Sequence, residues 1–355
     1  MKIDFTQVKQ NIQSMVHSLS EYNISHRPHV KPHKNVELAK LQIESGAIGI
    51  TCATLTELEV MAKGGIENIL LAMPLVGEDQ WNRLLDILRH YNFTFITLVD
   101  SEIGLKGLSQ IGEKLNQPIN VLVDIDSGGH REGIQREETV EFVKKVISNK
   151  WLHFKGLFTY YGHIYAYPIN QHPEKAKEEA TILLEQKQKL EAEGITVEIL
   201  SGGSTVSSIY PNELSGITES RAGNFIFYDM NAVHLGIADI SQCALRIVAK
   251  IISIPIKGKA TIDAGSKAMT TDQPIKGNEY GYVVNNPELM IVKLNEEHGF
   301  VEYDPEKVDV KIGDIVEIIP NHACVVPNLY NQVFLFEDNR LVRSINVDAR
   351  GRNYY

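Results

Sequence analysis

The sequence predicts an α/β protein, a (β/α)8 barrel over residues 1–235 followed by an antiparallel β domain over 236–355. Two observations carry this reading. Short apolar runs alternate with amphipathic stretches through the first two thirds of the chain. After about Leu235 the long amphipathic stretches stop, and short β-rich runs separated by turn residues take over at roughly ten-residue spacing. With 355 residues, at about 150 per domain, two domains are expected.

The runs IGITCAT (48–54), NILLAMP (68–74), TFITLVD (94–100), INVLVDID (119–126), FKGLFTYY (154–161) and VEILSGG (197–203) are apolar on both faces, as strands of a buried parallel sheet must be. PHVK (28–31) precedes them and ITESRAGNF (217–225) follows, which makes eight. Helical spacing fills 35–45, 57–63, 81–91, 102–115, 137–148 and 174–193. Beyond the barrel, LRIVAKIISIPI, GKATIDAG, YGYVV, LMIVKL, GDIVEIIP, QVFLFED and RLVRSINV read as strands.

Charge and composition exclude several functions. The net charge is −10, so a polyanion binder working by bulk charge is excluded, and neither nucleic acid nor a membrane surface is expected as a partner. No run approaches the roughly 18 apolar residues of a membrane helix, and no signal peptide is evident. Cys52, Cys243 and Cys324 are too few and too far apart for a disulfide framework, and a reducing cytoplasm fits them.

Four segments carry chemistry. In Arg27-Pro28-His29-Val30-Lys31-Pro32-His33-Lys34 the prolines favour extended backbone, so Arg27, His29, Lys31 and His33 are expected on one face. Such crowding lowers a lysine pKa and makes an amine nucleophile, with Lys31 preferred to Lys34 because it ends a strand. A solvated basic loop is the competing account. Ser201-Gly202-Gly203-Ser204-Thr205 follows a late strand, where backbone N–H groups and hydroxyls can cradle an anion, and Arg221-Ala222-Gly223-Asn224 forms a second small-residue turn. Asp126 to Gly133, DSGGHREG, can aim the Arg131 guanidinium at an oxygen, or be a flexible loop. In Pro320-Asn321-His322-Ala323-Cys324, an extended backbone would put imidazole and thiolate on one side, a pair suited to Zn²⁺.

In that order, RPHVKPHKNVELAKLQIESGAIGITCATLTELEVMAKGGIENILLAMP (27–74), VDIDSGGHREGI (123–134), GLFTYYGHIY (156–165), LSGGST (200–205), RAGNFIFYD (221–229), DAGSKAMTTD (263–272), EEHG (296–299) and PNHAC (320–324) resemble the fold-type III pyridoxal 5'-phosphate (PLP) enzymes, in the D-threonine aldolase / D-serine dehydratase branch related to alanine racemase. The resemblance runs along nearly the whole chain. It implies an alanine racemase-like PLP-binding barrel and a D-serine dehydratase-like β domain. Lys31 matches the lysine that holds PLP as a Schiff base. Gly202, Gly203, Ser204, Thr205, Gly223 and Asn224 match the phosphate cradle. Arg131 matches the arginine near the phenolic oxygen, Tyr160 the ring against the pyridine, and Arg221 the arginine that meets the pyridine nitrogen in alanine racemase. His163 and Tyr165 match the substrate-facing segment, and His322 and Cys324 the metal pair. Tyr282 stands where a histidine-containing segment is expected, and Lys267 is read as structural. The resemblance implies a homodimeric, cytoplasmic lyase that uses PLP and a divalent metal, zinc or manganese. It would act on β-hydroxy D-amino acids, by retro-aldol cleavage to glycine and an aldehyde or, as the alternative, by dehydration to an oxoacid and ammonia. A racemase and a catalytically silent PLP-binding protein are the remaining readings.

Overall fold

A computed structural model describes residues 1–351 and resolves two compact units. One comprises residues 13–31 and 36–223; the other comprises 1–12, 32–35 and 224–351.

The chain opens with β1 (Lys2–Asp4) and helix α1 (Phe5–Ser20). The first unit then alternates β2 (Ser25–His26), α2 (Val36–Glu44), β3 (Ile50–Cys52), α3 (Leu55–Lys63), β4 (Asn68–Leu71), α4 (Glu78–His90), β5 (Thr94–Val99), α5 (Glu102–Leu115), β6 (Ile119–Asp124), α6 (Thr139–Ile147), β7 (Leu152–Phe158), α7 (His172–Ala192), β8 (Ile199–Gly202) and β9 (Glu219–Ser220). All eight strands β2–β9 pair in parallel, in the order β2-β9-β8-β7-β6-β5-β4-β3. A parallel bridge from His29 to Thr51 joins the two edges and closes the barrel.

Local chemistry sets these elements. The strands are apolar on both faces, and Leu70, Ile96, Leu98, Leu122 and Phe158 form a buried cluster. Each such side chain contributes about 1.5–3 kcal/mol by leaving water. Thr54 caps α3 by accepting from Glu57 N, and Ser101 caps α5 by accepting from Gly104 N. Gly156 holds a φ of +153° inside β7, where a Cβ would stand 1.9 Å from Ile199 O, so only glycine lets β7 and β8 meet there.

The first barrel strand differs from expectation. It is Ser25–His26, not 28–31, because Pro28 and Pro32 offer no backbone N–H to a ladder and pairing shrinks to the His29 bridge. The basic face does not form either. Arg27 is buried, with Nε donating to Glu219 Oε2 (2.8 Å) and Nη1 to Asn68 Oδ1 (2.7 Å). Its charge is compensated inside the barrel, while Lys31 lies exposed in a turn.

The second unit is mostly antiparallel. Helix α8 (Met230–His234) leads into β10 (Leu245–Ile256), β11 (Lys259–Ile262), β12 (Tyr282–Val283), β13 (Met290–Leu294), β14 (Gly299–Glu302), β15 (Ile315–Ile319), β16 (Gln332–Glu337) and β17 (Arg340–Asn346). The main path is β13-β14-β11-β10-β1-β16-β17, and β15 joins β10 to β12. Strand β10 alternates buried Leu245, Ile247, Ala249 and Ile251 with outward residues, the period of a one-sided strand. It pairs in turn with β1, β15 and β11. Strand β1 lies between β10, antiparallel, and β16, parallel. No described helix is long and apolar enough to cross a membrane.

Candidate active site

Barrel chemistry gathers where strands end at their C-termini. Three expected residues meet there. Lys31 Nζ lies 5.9 Å from the centroid of the Tyr160 ring, just past β7, and Arg131 Cζ lies 4.6 Å from the same centroid. The turn that carries Arg131 is pinned rather than loose. Asp126 Oδ1 accepts from Gly128 N (2.9 Å) and His130 N (3.0 Å), and its Oδ2 meets the His130 ring at 2.7 Å. Burial works to raise the Asp126 pKa, but these bonds prevail and pull it down to about 2. Arg131 also pairs with Glu132.

Asp124, Asp126, Arg131, Tyr160 and His163 line a cavity of about 240 Å³. His163 sits in the 3-10 turn Gly162–Ala166, its ring centroid 3.8 Å from that of Tyr161. Its Nδ1 is buried with no hydrogen-bond partner among the described residues, and burial lowers its pKa. Tyr165 is half-buried on the same turn and is not a lining residue of this cavity. Lys34 is buried in the other unit, where its carbonyl accepts from Ala349 N (3.0 Å).

The turn after β8 is built for small residues. Gly203 holds a φ of +76°, and a Cβ there would stand 2.5 Å from Ser220 Oγ. Gly202 ends β8, Gly223 is the last barrel-unit residue before position 224, and Ser204 and Thr205 are buried. Gly203 N donates to Glu179 Oε1 and Ser204 N to Ser207 Oγ, each at 2.8 Å. Arg221 is buried, donating to Ser201 Oγ (2.7 Å) and Thr159 O (2.5 Å), with its guanidinium 3.6 Å from the Phe158 ring centroid. Burial lowers its pKa to about 10. An exposed amine, an aromatic face, a guanidinium and a turn that excludes Cβ suit a phosphorylated aromatic aldehyde such as PLP.

The second constellation lies wholly in the other unit. His322 is extended, but Cys324 stands in a 3-10 helix, Ala323–Leu329, not on the extended segment expected. Pro320 has no N–H to continue a ladder, and β15 ends at Ile319. The ring and the sulfur still interact. Burial works to lower the His322 pKa, but the Cys324 sulfur, Asp229 and Asp272 outweigh it and raise it to about 10. An imidazole and a cysteine sulfur side by side are donor types that suit a divalent cation such as zinc. No third protein donor completes a cluster among the described residues. Asn224 belongs here by its side chain, with Nδ2 donating to Asp229 Oδ2 (2.8 Å) and Oδ1 standing 3.5 Å from Cys324 Sγ. Lys267 makes an exposed pair with Glu297 (2.6 Å), and Tyr282 lies in β12 opposite Ile319.

Sequence reasoning gave no role to Asp124, Glu179, Asp229 or Asp272. Asp124 ends β6, and burial first, then the negative Glu132, push its carboxyl well above the usual range; its Oδ2 has no partner among the described residues. A lone acid closing an apolar run, as in INVLVD, is the one local signal that could have marked it.

A barrel that collects an amine, a ring and a guanidinium at its strand ends defines an enzyme-type site. The alanine racemase N-terminal domain matches residues 3–231, and the putative serine dehydratase domain matches 244–336. The chain belongs to the PLP-dependent alanine racemase-like family, in the branch that carries the serine dehydratase domain. Similar proteins include the D-threo-3-hydroxyaspartate dehydratase of Delftia sp. (strain HT23), 28% identical and covering 91% of this chain and 89% of the relative. The 3-hydroxy-D-aspartate aldolase of Paracoccus denitrificans (strain Pd 1222) is also 28% identical, covering 99% and 92%. Among solved structures, a D-threo-3-hydroxyaspartate dehydratase mutant in the metal-free form superposes with a TM-score of 0.92 at 25% identity, covering 99% of this chain and 97% of that one.

Proposed function

We propose that this protein is a PLP- and metal-dependent lyase of β-hydroxy D-amino acids, cleaving them by a retro-aldol reaction to glycine and an aldehyde. The observation that carries it is the convergence of Lys31 and Arg131 on the Tyr160 ring at the strand ends. Dehydration to an oxoacid and ammonia is the second reading, supported by the match to the serine dehydratase domain.

Lys31, Arg131, Tyr160, Arg221, the turn at Gly202–Thr205 and Gly223 would hold the cofactor. PLP bound there supplies a conjugated ring that takes up the electron pair released at Cα. A divalent metal, which His322 and Cys324 would hold, would supply Lewis acidity. The thiolate favours zinc over a hard ion, and manganese would need added oxygen donors. The relatives support a metal: one solved mutant of the hydroxyaspartate dehydratase replaces a histidine, and another, in the metal-free form, a cysteine two positions further on. His163, whose Nδ1 has no partner among the described residues, would take the β-hydroxyl proton in the retro-aldol path; Tyr165 lies on the same turn. In dehydration the Lys31 amine would take the Cα proton. Arg131 would hold an anionic oxygen of the ring, and burial pushes the neighbouring Asp124 carboxyl well above the usual carboxylate range.

Incubation with D-threonine, D-serine and D-3-hydroxyaspartate, with and without a chelator, tests the reading. Glycine with an aldehyde, lost on chelation, is expected. An oxoacid with ammonia would select dehydration, and turnover that survives exhaustive chelation would remove the metal's role and restore the racemase reading. No turnover by a yellow, PLP-loaded protein would select the silent PLP-binding one.

The assembly proposed is a homodimer. The second unit exposes Ile256, Met290, Ile312 and Leu341, apolar side chains that a second copy would cover. Light scattering at micromolar concentration should give twice the 39.8 kDa chain mass, and a monomer would count against it. The described cysteines are unbridged, which suits the cytoplasm.

A further inference from the structure

We infer that Asp272 and Asp229 are positioning residues of the metal pair, Asp272 by fixing the tautomer of His322 and Asp229 by holding the peptide between His322 and Cys324. The inference rests on the metal reading above and adds two residues to it.

Asp272 Oδ2 lies 2.7 Å from His322 Nδ1. A carboxylate only accepts, so Nδ1 carries the proton and the lone pair of a neutral ring is left on Nε2. Residue 272 is itself tied to the segment, because Asn321 Nδ2 donates to Asp272 O (3.1 Å). Stability does not account for the carboxylate. Both side chains are about two-fifths exposed, and such a pair contributes about 0–1 kcal/mol.

Asp229 is 1% exposed. Its Oδ1 caps α8 by accepting from Ala232 N (2.9 Å), which is all that a cap requires. Its Oδ2 reaches 94 residues along the chain to accept from Ala323 N (2.9 Å), the amide of the one residue between the two donors, and also takes Asn224 Nδ2 (2.8 Å). Asn224 Oδ1 in turn faces Cys324 Sγ. One carboxylate therefore fixes the backbone between imidazole and thiol, and through Asn224 the direction of the thiol.

The test is metal affinity read without turnover. The PLP-loaded enzyme, stripped of metal, is titrated with Zn²⁺ against a chromophoric chelator and with Co²⁺, whose thiolate charge-transfer band reports Cys324. Asp272→Ala and Asp229→Asn should each weaken Zn²⁺ binding about 10–100-fold, the usual cost of losing such a partner, and shift the Co²⁺ band. Asp272→Asn keeps a neutral acceptor and should fall between Asp272→Ala and the unaltered protein. The PLP absorbance should stay unchanged, which shows that the variants fold. Zn²⁺ affinity and Co²⁺ band unaltered in Asp272→Ala and Asp229→Asn would overturn the positioning role. An unaltered protein that shows no Co²⁺ band, or a band that survives His322→Ala, would overturn the metal reading and this inference with it.

Discussion

Lys31→Ala is expected to abolish the visible absorbance of the lysine-bound cofactor and to lower turnover by about 10²–10⁴-fold, the share that one proton-transferring group contributes. The side chain is exposed, so its removal should leave stability within about 0.5 kcal/mol and the far-ultraviolet circular dichroism unchanged. Lys34→Ala is the control. Lys34 is buried in the other unit, and its loss should leave the absorbance in place. The reverse pattern, with absorbance lost in Lys34→Ala and kept in Lys31→Ala, would overturn the assignment.

The second large effect concerns stability. Arg27 and Glu219 are each 3% exposed and meet at 2.8 Å, with Ser201 Oγ donating to the second Glu219 oxygen at 2.7 Å. Removing one partner leaves an uncompensated buried charge, which costs about 3–5 kcal/mol. Glu219→Ala should therefore lower the urea midpoint sharply. The double change Arg27→Met with Glu219→Leu removes both charges and keeps volume, so it should recover most of the loss. A midpoint in Glu219→Ala close to that of the unaltered protein would show that water reaches Arg27 and that the pair is not dry.

Parallel strands and helices were legible because burial on both faces writes a continuous apolar run. TFITLVD becomes Thr94–Val99, and 102–115 becomes α5 without shift. The first strand was misplaced because Pro28 and Pro32 signal extension and also forbid the ladder. Strand β1 left no trace, since three residues cannot show a period. Arg27 read as part of a basic face because Glu219, which neutralises it, lies 192 positions away. The same limit hides Asp272, 50 positions from His322, and Asp229, 94 from Ala323. Lys31, Arg131 and Tyr160 were singled out by order and residue type, but their meeting at one ring is a property of the closed barrel.

The place of β1 in the second sheet constrains how this protein can be cut and rejoined. Met1 O accepts from Phe334 N, and Lys2–Asp4 lie between β10 and β16. A fragment that starts after the barrel would carry β10 and β16 with an open slot between them, two unpaired edges that invite aggregation. Excision of the C-terminal unit must therefore carry the first dozen residues with it, as a tethered or added peptide. During synthesis β1 has no partner in that sheet until β10 leaves the ribosome, and its second edge stays open until β16 follows, so a strand made early waits through the whole barrel before it can pair.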